Sequence, residues 1–128
     1  MKKAFCLFLL FLVCRSVQLL YAGTYTVDNL PMVYLQDKTK HVVNPDGILS
    51  AQTVQQMDSL LYRLETEKGV QSVVAVVERI EGGECYDFAI TLGNKLGVGN
   101  RQNTGLIILL STQDRCYQIL TGEGLEGT

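Results

Sequence analysis

Three acidic residues beside glycines are the side chains of this sequence best suited to chemistry. Asp46, Asp114 and Glu126 lie in or next to predicted loops, where nearby glycines allow backbone carbonyls to approach an ion. Calcium and magnesium prefer carboxylate and carbonyl oxygens, so the three residues are candidate metal ligands. Each also has a purely structural interpretation. Asp46 could form an Asx turn, Asp114 could occupy a hairpin turn, and Glu126 could be a solvated surface charge.

Other kinds of catalytic centre have little support in the sequence. It contains no Walker-type glycine-rich loop, no Gly-x-Ser-x-Gly elbow and no cysteine pair at metal-binding spacing. His41 is the only histidine, and a lone histidine is more often a surface or hydrogen-bonded structural residue than a catalyst. A cysteine phosphatase needs an arginine in the loop that follows its nucleophile. Cys85 leads instead into a predicted helix and Cys116 into a predicted strand, and no organic cofactor is expected.

The N-terminal residues have the pattern of a secretory signal. A basic start, Met1 to Lys3, precedes eleven apolar residues, Ala4 to Cys14, and the small Ala22 is suited to cleavage. The apolar run is too short for a stable membrane anchor. We therefore predict a signal peptide over residues 1–22, a secreted or periplasmic mature chain, and no transmembrane anchor after cleavage. Arg15 argues against an uncleaved anchor, and the bulky Val13 argues against a lipoprotein acylated at Cys14.

The charge of the mature chain excludes some classes of partner. Removing residues 1–22 takes Lys2, Lys3 and Arg15 from the eleven basic residues and leaves eight against thirteen acidic ones, a net charge of −5. Such a domain lacks the basic patch that nucleic-acid binding requires. An acidic surface suits divalent cations or basic partners, and we expect an envelope protein, not yet identified, as the partner.

Two cysteines remain after residue 22. Cys85 and Cys116 could pair in an oxidising compartment, or each could be a small buried apolar residue. The sequence leaves both alternatives open, because pairing depends on a proximity that spacing along the chain does not show.

The apolar pattern predicts the elements of one α/β domain. Ser50 is a helix N-cap, Gly69 ends that helix, and apolar residues recur between them at helical spacing. The predicted elements are a helix from Ser50 to Gly69, a buried strand from Val70 to Val77, a helix from Cys85 to Leu96, and strands over 106–110 and 116–120. We predict a single domain over residues 41–128, with a mixed, mostly parallel sheet flanked by helices and a C-terminal hairpin. Residues 23–40 are expected to be an extended lead-in with a short strand near Met32 to Leu35.

Three motifs, in this order and spacing, resemble those of the TPM domain family, which includes the TLP18.3, Psb32 and MOLO-1 proteins. The first is Val43-Asn44-Pro45-Asp46-Gly47-Ile48-Leu49-Ser50. The second is Gly97-Val98-Gly99 followed by Asn103-Thr104-Gly105-Leu106-Ile107-Ile108-Leu109-Leu110. The third is Asp114-Arg115 leading to Gly122-Glu123-Gly124-Leu125-Glu126-Gly127. The resemblance covers about residues 40–128, and it departs from the family at Asn44, where the family usually has an aspartate.

The resemblance implies two competing functions. Members of the family are exported or membrane-anchored domains. Plant members resemble phosphatases and act in photosystem repair, and others bind calcium. Our chain could thus be a non-catalytic or divalent-ion-binding accessory module of the cell envelope, or a metal-dependent phosphatase of low specificity. The metal would be calcium or magnesium. The family usually continues past the third motif with a further helix, so the resemblance leaves open whether the domain is truncated at its C-terminus.

Overall fold

A computed structural model describes residues 24–98 and 104–125. The predicted signal peptide and the candidate ligand Glu126 lie outside these residues. The strands are β1 (Thr24–Tyr25), β2 (Val42–Val43), β3 (Gln71–Val77), β4 (Arg79–Ile80), β5 (Gly105–Ser111) and β6 (Cys116–Thr121). The α-helices are α1 (Val33–Gln36), α2 (Ala51–Lys68) and α3 (Cys85–Leu96), and short 3-10 turns occupy Glu81–Gly83 and Glu123–Leu125.

The main sheet has four strands in the order β2-β3-β5-β6. Strand β3 runs parallel to both β2 and β5, and β6 runs antiparallel to β5. The connection from β3 through α3 to β5 is therefore the predicted parallel crossover, and β5 and β6 form the predicted hairpin. The predicted fold class, an α/β domain with a mixed sheet flanked by helices, is confirmed.

Both long helices begin and end where their capping residues require. The Ser50 hydroxyl accepts the N–H of Thr53 at the start of α2, and Gly69 ends that helix with a positive φ of 70°. At the start of α3, the Glu84 carboxylate accepts the N–H groups of Tyr86 and Asp87. These side chains satisfy N–H groups that have no partner inside the first turn of a helix.

The two helices cover opposite faces of the sheet. Helix α3 contributes Phe88, Ala89, Leu92 and Leu96 to the larger core, whose sheet residues include Val73, Ala75, Val77, Ile107 and Leu109. Helix α2 packs Val54, Met57 and Leu61 over Val42, Val74 and Val76 on the other face. Strand β3 is buried from Ser72 to Val77 because it lies between both layers. Its near-continuous apolar sequence is typical of such a strand.

The N-terminal segment differs from the sequence prediction. The predicted strand near Met32 to Leu35 is wrong, since Val33–Gln36 form the short helix α1. That turn directs Tyr34 into the core, where it is 3% exposed, and its hydroxyl donates to Glu65 Oε1 at 2.7 Å. The sequence also gave no indication of the small parallel pair formed by β1 and β4.

A disulfide bond joins Cys85, the first residue of α3, to Cys116, the first residue of β6. The Cα atoms are 5.9 Å apart, within the range that disulfides normally span. Of the two alternatives that the sequence left open, the structure has the pair. The bond fixes the N-terminus of α3 to the outermost strand of the sheet.

Replacing both cysteines by alanine should destabilise the domain. The bridge closes a separation of 31 residues, and a loop of that length is expected to stabilise the fold by about 3.7 kcal/mol through the unfolded state. Urea denaturation of the parent and of the Cys85→Ala/Cys116→Ala variant would measure the difference. The control is a reductant, which should lower the free energy of unfolding of the parent and leave that of the variant unchanged. Coincident unfolding curves for oxidised parent and variant would contradict the pairing.

Candidate functional site

The carboxyl ends of the three parallel strands meet at one edge of the sheet. Asn44 to Asp46 follow β2, Glu78 follows β3, and the turn containing Asp114 follows β5. Ligands of open α/β sheets bind outside this edge. The structure therefore places two of the three candidate metal ligands, Asp46 and Asp114, at the edge where a ligand would be expected.

Asp46 joins the turn after β2 to two other segments. Its Oδ2 accepts the backbone N–H of Glu78 at 2.9 Å, and its Oδ1 accepts the hydroxyl of Tyr25 at 3.0 Å. Burial, together with the bond to Asp46, raises the pKa of Tyr25 above its ordinary value. The hydroxyl therefore keeps its proton and remains a donor to the carboxylate.

Asp114 likewise joins the turn after β5 to the segment that leaves β3. Its Oδ2 accepts the backbone N–H of Ile80 at 2.8 Å and the hydroxyl of Ser111 at 2.7 Å. Ser111 is itself fully buried, and its hydroxyl also lies 3.1 Å from the carbonyl oxygen of Glu78. The turn after β5 is thereby tied to the segment that leaves β3.

The two carboxylates, which we call the edge aspartates, thus bind amides separated by a single residue. Asp46 holds Glu78, and Asp114 holds Ile80. Hydrogen bonds from backbone amides to a charged acceptor are each worth about 1.5–3 kcal/mol. Each edge aspartate therefore has a structural task. Asp114 lies in the hairpin turn that was its alternative interpretation from sequence. Asp46 was expected to form an Asx turn as its alternative, but its carboxylate accepts from the distant Glu78 and Tyr25.

The structure does not assemble a complete metal site from described residues. Within 24–98 and 104–125, no three His, Cys, Asp or Glu side chains are grouped so that they could hold a metal ion. Strand β6 runs antiparallel to β5, so Glu123–Leu125, which follow β6, lie at the other end of the strands from Asp46 and Asp114. Glu126 itself lies outside the described residues. The metal site of Asp46, Asp114 and Glu126 stays a prediction.

Asn44 has a local role that an aspartate could not fill completely. Its side-chain Nδ2 donates to the carbonyl oxygen of Leu49 at 2.8 Å, and its Oδ1 accepts the N–H of Leu49 at 3.0 Å. A carboxylate has no N–H to donate. The amide therefore closes the turn between β2 and α2 on both sides, and this departure from the family pattern has a structural explanation.

His41 lies in a buried polar cluster that the sequence did not reveal. The residue is fully buried, and its Nδ1 lies 2.8 Å from the carbonyl oxygen of Ser72. Because a carbonyl only accepts, Nδ1 carries a proton. The other ring nitrogen, Nε2, faces Glu65 Oε2 at 3.6 Å. Asp58 Oδ1 accepts the backbone N–H groups of His41 and Val42 at 2.7 and 3.0 Å.

The position of this cluster separates it from the edge aspartates. His41 directly precedes β2, whereas Asp46 comes after that strand, so the two residues lie toward opposite ends of it. Of the two structural interpretations given for His41 from sequence, a surface residue and a hydrogen-bonded one, its burial leaves the second. The sequence contains only a weak signal for this cluster. Asp58 and Glu65 are surrounded in α2 by other polar residues, so from the sequence they look solvent-exposed.

Comparison with known proteins settles the family. A model of the TPM domain matches residues 42–128. The chain belongs to the TPM domain family. A solved structure with the same fold is the solution NMR structure of the N-terminal domain of a protein from P. gingivalis. It is 31% identical in sequence, with a TM-score of 0.74, over 81% of this chain and 67% of that one. No curated protein matches.

No helix in the described part of this TPM domain is both long enough and apolar enough to span a membrane.

Substituting either edge aspartate should destabilise the TPM domain. In Asp46→Ala or Asp114→Ala, a backbone amide loses its acceptor, and we expect the free energy of unfolding to fall by about 1–3 kcal/mol. The control is Glu67→Ala, which removes an exposed ion pair with Arg63 and should change stability by less than about 1 kcal/mol. Chemical denaturation measures all three. An effect of either aspartate no larger than that of Glu67 would contradict the structural role.

Proposed function

We propose that this TPM domain acts outside the cytoplasm as a non-catalytic accessory module of the cell envelope, assisting the assembly or maintenance of envelope complexes. The observation that carries the proposal is the use of both edge aspartates as acceptors for the backbone of residues 78–80. An edge held in this way is preformed, as a binding surface should be. Its acidity suits a basic partner or a divalent cation.

Two features support export. The first is the basic, apolar and small-residue order of residues 1–22, the pattern of a secretory signal. The second is the disulfide between Cys85 and Cys116, because such bonds persist mainly in oxidising compartments. The two features come from different parts of the chain and favour the same location.

The chemistry of the reactive residues favours binding over catalysis. The disulfide leaves neither Cys85 nor Cys116 as a thiol nucleophile. His41 is fully enclosed and cannot reach a substrate at the surface. Hydrolysis would therefore have to rely on a metal ion held by carboxylates, which would activate water and neutralise phosphate charge.

A divalent cation remains a candidate ligand of the module. The oxygen atoms of Asp46 and Asp114 suit calcium or magnesium in type, and Asp114 Oδ1 accepts no hydrogen bond from a described residue. In this proposal Asp46, Asp114 and Glu126 would supply carboxylate oxygens. The cation would bind the folded chain only, and would therefore stabilise it.

Calcium should raise the melting temperature of the exported protein. At a concentration ten times the dissociation constant, binding to the folded state adds about 1.4 kcal/mol, which is several degrees for a domain of this size. Thermal unfolding in millimolar calcium and in chelator measures the shift. Asp114→Asn should reduce the shift, whereas the exposed control Glu67→Gln should retain it. Equal shifts in both variants, or none in the parent, would contradict a site at Asp114.

Hydrolysis of a chromogenic phosphate ester by the same samples decides between the two functions. We expect no phosphate release above the buffer rate with calcium or magnesium. Release that requires metal and falls sharply in Asp114→Asn would overturn the non-catalytic proposal and favour the phosphatase.

A further inference from the structure

Strand β6 is the outermost strand on one side of the main sheet, and no other described strand pairs with its outer side. We call this outer side the free edge. Its residues Cys116–Thr121 include no proline and no charged side chain. Soluble proteins usually protect such an edge with charge, proline or a covering element. The exposed edge therefore needs an explanation of its own.

The register of the hairpin shows which backbone groups face outward. Gly122 N–H donates to the carbonyl oxygen of Gly105, its opposite residue. In an antiparallel pair, hydrogen-bonded residues alternate with residues whose N–H and C=O point away from the partner strand. Tyr117, Ile119 and Thr121 are consequently the residues of β6 that present both groups to the free edge. The carbonyl of Ile119 receives only a long contact of 3.4 Å from the Gln118 side chain.

The side chains of these three residues lie on the sheet face opposite α3, and they are exposed. Tyr117 is 71% and Ile119 53% exposed, and Leu110, opposite Tyr117 on β5, is 39% exposed. Helix α2 lies on this face, but it packs over β2 and β3 and reaches only to Ile108 of β5. The apolar surface thus runs to the free edge without interruption by charge.

The sequence around β6 is complementary to itself. Suppose that two copies pair antiparallel about a two-fold axis at Ile119. A residue a given number of positions before Ile119 in one copy then faces the residue the same number of positions after Ile119 in the other. Ile119 then meets Ile119 of the copy, and Tyr117 meets Thr121. These are the three outward-facing positions, so every pair can exchange two N–H···O bonds. Aromatic and β-branched neighbours across strands add to such pairing.

Charge complementarity supports the same register. Arg115 immediately precedes β6 and Glu123 lies two residues after its end, and both are exposed. The two-fold axis at Ile119 brings Arg115 of one copy to the end of the paired strands where Glu123 of the other copy follows β6, and it does so at both ends. A register shifted by two residues would lose this match.

We propose that β6 is a self-association edge, through which two copies of this chain form a two-fold dimer with one continuous eight-stranded sheet. The self-matching contacts are those expected of an isologous interface. The disulfide at Cys116 holds the start of β6 against α3, so the edge is already ordered before the copies meet. This inference does not depend on the proposed function.

Sedimentation of protein expressed from the full sequence with export, at about 0.1 mM, tests the dimer, because micromolar affinity would leave mostly dimer there. Ile119→Lys should convert it to monomer by placing a charge against its own copy. The matched control is Leu35→Lys, a 48% exposed position on α1, beside the far edge of the sheet. A monomeric parent, or a dimer that survives Ile119→Lys, would overturn the proposal.

A charge exchange tests the register. Arg115→Glu and Glu123→Arg should each weaken the dimer at least several-fold by opposing like charges, and the double variant should recover most of the loss. Amide hydrogen exchange reports the strand pairing directly. The N–H groups of Tyr117, Ile119 and Thr121 should exchange more slowly as protein concentration rises. Failure of the double variant to recover, or exchange at these amides that is independent of concentration, would overturn the proposed pairing.

Discussion

The hydrogen bonds that the amides of Glu78 and Ile80 donate to the edge aspartates are the constraint on which the candidate site depends. Strand β3 is the central support of the molecule, with parallel neighbours on both sides and a helix over each face. Beyond Val77 the ladder ends, and the backbone needs new acceptors. Asp46 and Asp114 supply them from the turns after β2 and β5. Three loops that are distant in sequence thereby become one surface.

This arrangement fixes the positions of the two candidate ligands. A carboxylate that accepts a backbone amide is held in a defined place, and it still has lone pairs for a cation or a basic partner. The same bonds stabilise the fold, so both residues have a structural role. Among the side chains considered as reactive groups, His41 is buried and the two cysteines are joined in a disulfide.

Much of the fold could be predicted from local patterns, because those patterns act locally. Ser50 begins α2 and Gly69 ends it through contacts within one helical turn. The apolar run that ends at Val77 indicated a strand buried on both faces. The short elements could not be predicted in this way. Strand β2 has two residues and exists only through its pairing with β3. Helix α1 forms where Tyr34 can reach Glu65, which is 31 residues away.

The candidate site could also be predicted only in its local features. The residue types of Asp46 and Asp114 and their places in loops could be predicted from the sequence, as could the strand before Asp114. Their partners could not, because the amides of Glu78 and Ile80 are 32 and 34 residues away. Any backbone amide looks alike in a sequence. The disulfide was undetermined for the same reason, since only the fold brings Cys85 to Cys116.

Hydrogen exchange at two amides tests the central claim most directly. In the parent protein, the N–H groups of Glu78 and Ile80 should be protected although they lie beyond the end of β3. Asp46→Ala should selectively increase exchange at Glu78, and Asp114→Ala should do so at Ile80, while amides inside β3 change less. Fast exchange at both positions in the parent, or variants that leave these two amides unaffected, would contradict the account.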